Sequence, residues 1–288
     1  MGQDSRFECV ANVSEGRDGA IINALAAACG GTLLDVHSDA DHHRTVLTLG
    51  GPLDAVEDGG RRLAEAAVAS IDMRSHRGVH PCVGGLDVVP FVALDPREAP
   101  AAADAARRFA AWLAHELGVP AFLYGDADPE GRSLPDLRRD AFKTRDPDFG
   151  PRAPHPTAGA SAVGAREVLV AVNCELSNDD VVLAQHVAAT IRERDGGLPG
   201  VRALGLMLAG AAAAQVSMNL VALEQTGVEA ACTAVRDAVE AAGATLRRVE
   251  LVGLIPAGEI ARCSPQFLAW SGLSDAPTIE SRFEAKRP

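Results

Sequence analysis

The sequence predicts an α/β fold of the α+β type, in two subdomains that each carry a mixed β-sheet with helices packed on one face. Three observations predict it. Short apolar runs of strand length alternate with longer stretches whose apolar residues recur at helical spacing. Hairpin-like pairs interrupt that alternation, so the sheets are expected to be mixed. A second strand-and-helix set follows a long irregular segment, and 288 residues suffice for two separate cores. The break is expected near residues 164–167, giving an N-terminal subdomain over 1–167 and a C-terminal one over 168–288.

Residues 7–13 read as a strand closed by turn chemistry at Ser14-Glu15-Gly16-Arg17-Asp18. A helix over 19–29 follows, stopped by Gly30-Gly31, then a strand over 32–36. Residues 37–43 form a polar loop, and 44–49 alternate like a hairpin partner. Pro52 can start the next helix, which 56–71 carries with an apolar stripe opposite a charged one. A strand over 86–94 and a second long helix over 96–117 come next, the latter ended by Gly118 and Pro120. Residues 121–124 are a short strand. The segment 125–159 holds six prolines and four glycines and is longer than an idle connection should be, so it reads as a functional loop. Strands over 168–173, 201–208, 215–222 and 245–252, with helices over 179–194 and 228–242, complete the second set.

The formal charge of −12 argues against a nucleic-acid partner, where phosphate neutralisation by Lys and Arg dominates affinity. One basic cluster stands out. Arg132, Arg138, Arg139, Lys143, Arg145 and Arg152 outnumber Asp136, Asp140, Asp146 and Asp148 by two charges, which suits either an anionic ligand or a salt-bridged surface. The six cysteines are scattered, without C-x-x-C spacing, and most lie in apolar settings, which points to a reduced, cytoplasmic protein. No uninterrupted apolar run is long enough for a membrane span, and no leader-like segment is recognised, so no membrane partner is expected.

Chemistry concentrates in Arg74-Ser75-His76-Arg77-Gly78-Val79-His80-Pro81-Cys82-Val83-Gly84-Gly85, a loop that feeds the strand beginning at Leu86. Gly78 and Pro81 break any helix there, and Arg77 stands where a zinc helix needs glutamate, so the pair His76 and His80 is a poor metal motif. His80 is the leading candidate for proton transfer, because imidazole titrates near neutral pH; hydrogen bonding to loop backbone is the structural alternative. A second constellation is Asp35, His37, Asp39 and Asp41, which would share a face if the strand ran on; its carboxylates can hold a cation or simply face solvent. A third, Ser14-Glu15-Gly16, precedes a helix and is explained equally by an anion site or a cap. No metal is expected.

Several motifs in chain order carry a resemblance. They are Glu8-Cys9-Val10-x-Asn12-Val13-Ser14-Glu15-Gly16, Leu34-Asp35-Val36, Arg44-Thr45-Val46, Ile71-Asp72-Met73, His76-x-Gly78-x-His80-Pro81-x-x-Gly84-x-Leu86-Asp87-Val88, Asp148-Phe149-Gly150-Pro151 and Gln215-Val216-Ser217-x-Asn219-Leu220. Together they resemble the glutamate formimidoyltransferase family, the formiminotransferase domain of formimidoyltransferase–cyclodeaminase, over nearly the whole chain. No cyclodeaminase portion is recognised.

The resemblance implies two α/β subdomains with a ligand cleft between them, a homodimer, and transfer of a formimidoyl group from N-formimidoyl-glutamate to tetrahydrofolate as co-substrate. It implies a catalytic role for His80. The stretch Gly150-Pro151-Arg152-Ala153-Pro154-His155-Pro156-Thr157-Ala158-Gly159, with Tyr124, is implied to bind the folate. His37 stands where the family has an aspartate beside the catalytic histidine, and Asp39 is the candidate to replace it. Val79 stands for a glutamate, Cys82 for an arginine, His43 for an asparagine and Ala158 for a tryptophan. Two other expectations compete with the transferase: a paralogue acting on another one-carbon donor or acceptor, and a non-catalytic folate-binding protein. A metal-dependent hydrolase using the His/Asp loop is the least favoured.

Overall fold

The computed structural model describes residues 6–208 and 210–286. The chain divides into two compact units, one ending at Val168 and the other beginning at Leu169. The first unit is built on strands β1 (Phe7–Val13), β2 (Leu33–Asp39), β3 (Arg44–Gly51), β4 (Leu86–Ala93), β5 (Ala121–Gly125) and β6 (Ser161–Ala165), arranged β2-β3-β1-β4-β6-β5. The β2, β3, β1 and β4 pairings are antiparallel, whereas β6 runs parallel to both β4 and β5. This sheet is mixed, as the alternation of hairpins and helical crossovers predicts.

Strand parity assigns the two faces. In β1, Phe7, Cys9, Ala11 and Val13 are fully buried, and the register sets Cys9 beside Leu49 and Phe91. Helices α1 (Gly19–Cys29), α2 (Leu53–Ser70) and α3 (Ala99–Leu117) supply the other half of this core through Leu25, Leu63, Ala67 and Phe109. Asn12 faces the opposite way, level with Val46 and Val88, and so does Arg44, directly across from Asp39. Where the chain buries apolar side chains on one face it therefore presents polar ones on the other.

That second face is covered at its β4-β6-β5 end by a smaller core of Val88, Phe122, Tyr124, Leu137, Ala160 and Ala162. Leu137 comes from α4 (Leu134–Asp140), a helix inside the segment expected to be loop, and β6 lies just beyond that segment, where the apolar pattern predicts no strand. Ser133 caps α4 by accepting from Asp136 N, and Pro135 sits in its first turn. The basic cluster is not a free cationic surface. Arg132 pairs with Asp128, Arg138 with Asp87, Arg139 with Asp136 and Asp140, Arg145 with Asp148, and Arg152 with Asp146, while Lys143 donates to the Arg139 carbonyl. Except for Arg138, whose partner lies on β4, aspartates interleaved within a few residues of each arginine neutralise the segment locally.

The second unit contains β7 (Val170–Leu176), β8 (Val201–Leu208), β9 (Ala213–Leu220) and β10 (Leu246–Val252) in the order β10-β7-β9-β8. Every pairing in it is antiparallel, so only the first sheet is mixed. Helices α5 (Val181–Ile191) and α6 (Val228–Ala241) pack on one face over Val172, Cys174, Val216 and Met218. Gly205 allows the closest approach: a Cβ there would strike the backbone of Ala184 and Gln185 in α5. Short helices α7 (Ala257–Ala261), α8 (Pro265–Ser271) and α9 (Ile279–Glu284) follow, none of which the apolar pattern predicts. The α7 residue Glu259 is buried and accepts from Val228 N at 2.6 Å, placing a carboxylate on the α6 N-terminus.

Phe109 is fully buried, with its ring 5.7 Å from Phe91 and 5.5 Å from Trp112. Truncating it by Phe109→Ala is expected to cost about 3–5 kcal/mol, read as a lowered urea midpoint. A midpoint unchanged from the parent would refute the packing role given to this ring.

Candidate active site

The loop bearing His80 is held by backbone at both ends. At the end of β1, Ser14 N donates to Gly85 O at 2.8 Å and Ser14 Oγ to Gly84 O at 2.7 Å. On the other side, Gly85 N donates to Ala158 O, Ala160 N to Val83 O, and Met73 N to Thr157 O. Gly84 is obligatory here, because a Cβ would collide with the backbone of Ala158 and Ala160. Gly78 lets the loop pass over the β2–β3 turn, with His42 O, His43 Cβ and His76 Nε2 around it.

His80 sits against the guanidinium of Arg44, whose Nη1 lies 2.5 Å from Nδ1 and 3.0 Å from Nε2. Nδ1 is also 2.8 Å from the Pro81 carbonyl, which only accepts, whereas the guanidinium only donates, so the two neighbours of Nδ1 ask for opposite tautomers. Burial first, and then the positive charges of Arg44 and Arg138, push the His80 imidazole down to about 2. The ring is therefore neutral at physiological pH.

Arg44 is itself anchored. Its Nε donates to Asn12 Oδ1 at 3.0 Å, and Nη1 lies 3.7 Å from Asp87 Oδ2. Burial brings the Arg44 guanidinium down to about 10, which leaves it charged. Asp87 is 1% exposed; its Oδ1 accepts from Val83 N at 2.7 Å and its Oδ2 from Arg138 Nη2 at 2.5 Å. One buried carboxylate thus holds two guanidinium groups and the backbone just before the strand.

Beside this centre, His43 and His76 stack with ring centroids 4.6 Å apart and 21° between planes. His43, in the left-handed region at φ +50, accepts from Gly16 N through Nδ1 at 3.1 Å, with Glu15 Oε1 3.5 Å away. Burial lowers the pKa of both rings.

The remaining expected site residues are placed as follows. His37 and Asp39 lie on β2, which runs on through residues expected to be loop, and both share the face of Arg44. Asp39 Oδ1 accepts from His42 N at 2.7 Å, so this carboxylate braces the turn. Tyr124 is buried in the smaller core, and desolvation pushes its hydroxyl up to about 12. The segment 150–159 splits in two. Gly150, at φ +89, backs onto Ala114 and Pro120 beyond α3, and Pro151 to Pro154 are exposed, whereas Thr157 to Gly159 are bonded to the His80 loop. His155 Nδ1 accepts from Thr157 N and Ala158 N and so forms the turn between the halves. Ala158 is 2% exposed, Val79 is 41% exposed, and Cys82 is a half-buried thiol raised by desolvation. The sequence reading missed Asn12, Arg44, Asp87 and Arg138 as one network. The available signal was a charge inside the apolar run at Asp87 and one opening a strand at Arg44.

Among the described residues no group of three or more His, Cys, Asp or Glu side chains is arranged to hold a metal ion, and no helix is long and apolar enough to cross a membrane.

Together these features define a two-unit α/β protein that presents a neutral histidine beside the Arg44 guanidinium on the polar face of a mixed sheet. Residues 6–166 match the formiminotransferase domain, N-terminal subdomain, and residues 171–278 match the formiminotransferase domain. A glutamate formimidoyltransferase of Streptococcus pyogenes serotype M1 is 37% identical, over 87% of this chain and 89% of its own length. That of Thermoplasma acidophilum is 33% identical over 97% and 98%. The formimidoyltransferase-cyclodeaminase of Gallus gallus is 38% identical over 86% of this chain and 50% of its own length. The chain belongs to the formiminotransferase family.

Removing the central carboxylate with Asp87→Ala leaves two guanidinium groups without their shared partner, and a loss of about 3–5 kcal/mol is expected in chemical denaturation. A loss below about 1 kcal/mol would mean that solvent replaces Asp87. The histidines set a pH dependence. His43, His76 and His80 hold pKa values below the ordinary 6.5, and His80 falls to about 2. The unfolded chain binds protons where the fold does not, so stability rises with pH between the folded and unfolded values and falls on acidification through about 6.5. Urea denaturation at about pH 7 and about pH 5 should show that loss, and His80→Gln should reduce it. An equal loss in the variant would exclude His80 as a contributor.

Proposed function

We propose that the protein is a glutamate formimidoyltransferase, moving a formimidoyl group from N-formimidoyl-glutamate to N5 of tetrahydrofolate, with His80 carrying the proton. The observation that carries the proposal is a His80 imidazole kept neutral by burial and by the guanidinium of Arg44, in a chain of this family. The N5 amine attacks the amidine carbon and a C–N bond forms. His80 takes the proton that N5 must lose, and the departing glutamate nitrogen receives it as the second C–N bond breaks. The cationic surroundings suit the second half of this cycle: an imidazolium beside Arg44 and Arg138 is unstable and hands its proton on readily.

Tetrahydrofolate is a co-substrate in this reading, not a resident cofactor. The hydrogen bonds that join Thr157 and Ala158 to the His80 loop, and the exposure of Pro151 to Pro154, support reading residues 150–159 with Tyr124 as the folate-binding stretch. The N-terminal unit carries the chemistry. Asp39 and His37 border the Arg44 side and serve to orient the cationic amidine. The reading also carries a homodimer in the cytoplasm.

A second reading, a paralogue with another one-carbon donor or acceptor, is favoured by one observation. Ala158 is packed into the core, so no aromatic plate stands at the position where the family places tryptophan.

Incubation with N-formimidoyl-glutamate and tetrahydrofolate should yield 5-formimidoyl-tetrahydrofolate. His80→Ala should lower turnover by about 10²–10⁴-fold and leave folate affinity nearly unchanged. Unaltered turnover would sink the proton-carrier role, and absence of product from the parent protein would favour the paralogue or a non-catalytic folate-binding protein.

A further inference from the structure

Two cations and one anion meet beside His80. Arg44 from β3 and Arg138 from α4 share the single carboxylate of Asp87 from β4, which leaves one positive charge in excess within this ion-paired group; Asp39, across from Arg44 on β2, accepts instead from His42 N. The other groups facing the ring do not supply the missing anion. Asn12 is neutral, His42 lies 5.9 Å away between ring centroids, and the Cys82 thiol is kept protonated by burial.

Donors there also lack acceptors. Arg138 Nε is a buried donor without a hydrogen-bond partner, and His42 Nε2, a donor or an acceptor according to its tautomer, is likewise unpartnered. Both side chains keep some exposure, 17% for Arg44 and 18% for Arg138, whereas the Asp87 side chain is 2% exposed. The arrangement is one of two guanidinium groups fixed by a buried carboxylate, on side chains that keep some exposure. A planar carboxylate is the ligand that two such groups recognise best, because its oxygens match the spacing of guanidinium N–H donors.

We propose that Arg44 and Arg138, seated on Asp87, form an anion subsite that takes a carboxylate of the glutamate moiety of the donor beside His80. This rests on the transferase reading for the identity of the ligand. A carboxylate bound there supplies the missing negative charge, so it both positions the donor and raises the basicity of His80. The site then becomes competent for proton transfer only when the substrate is in place.

The test uses L-glutamate as the probe, with no folate present, on the full chain. Titration calorimetry should show binding that weakens at least about tenfold in Arg138→Gln, and the dimethyl ester of glutamate, which lacks both carboxylates, should not bind. In NMR the His80 ring should keep its neutral-tautomer signals down to about pH 5 in the free protein, and begin to titrate above that value when L-glutamate saturates it. Because Arg138→Gln leaves Asp87 one partner short, the double variant Arg138→Gln/Asp87→Asn is measured beside it, with folding checked by circular dichroism. Retained glutamate affinity in both folded variants, or equal binding of the dimethyl ester, would overturn the subsite. The His80 signal failing to move on saturation would overturn the coupling to the ring. If the protein makes no 5-formimidoyl-tetrahydrofolate but binds L-glutamate through Arg138, the transferase reading falls and the subsite stands.

Discussion

The buried carboxylate of Asp87 is the constraint on which the site depends. An ionised group at 1% exposure is sustained only by partners of opposite charge and by hydrogen bonds, and Asp87 has both. Its grip on Arg138 draws α4 onto the β4-β6-β5 end of the sheet, where Leu137 completes the smaller core. Its approach to Arg44 sets the cation that His80 leans on, and its bond from Val83 N fixes the chain where the loop becomes a strand. Helix, loop and catalytic candidate are thus tied to one residue through contacts that need each other.

Backbone lacing supplies the second constraint. The β1 end, the His80 loop and residues 157–160 exchange hydrogen bonds around Gly84, which has no room for a side chain. Glycine at this crossing is demanded by neighbouring backbone rather than by its own conformational freedom. The same economy governs Gly78, beneath which the stacked His43 and His76 meet.

Much of the fold is legible in the residues because burial is periodic. Phe7, Cys9, Ala11 and Val13 alternate, and the stripe of α2 recurs at helical spacing, so each announces its element. The region 125–165 is not legible for the converse reason. Helix α4 has seven residues and β6 has five, too short for a period to emerge among prolines and charges. His37 and Asp39 look like loop because they are polar, yet edge strand β2 continues through them, its ladder to β3 being indifferent to which side chains it carries. In the site, His80 is legible from chemistry alone. Arg44, Asp87 and Arg138 are not, since 43 and 51 positions separate them along the chain and only the sheet and the docking of α4 unite them.

By itself the sequence determined the two-set α/β pattern, the family and the histidine that stands out in the loop, because alternation, motif order and side-chain chemistry are local properties of the chain. Only the tertiary structure decided that the basic cluster is neutralised in place, that Ala158 is core, and that His80 is a neutral ring facing two cations. Those outcomes depend on which charges meet and how much water reaches them. Both are set by the register of β1, β3 and β4 and by the docking of α4, and neither can be read along a chain.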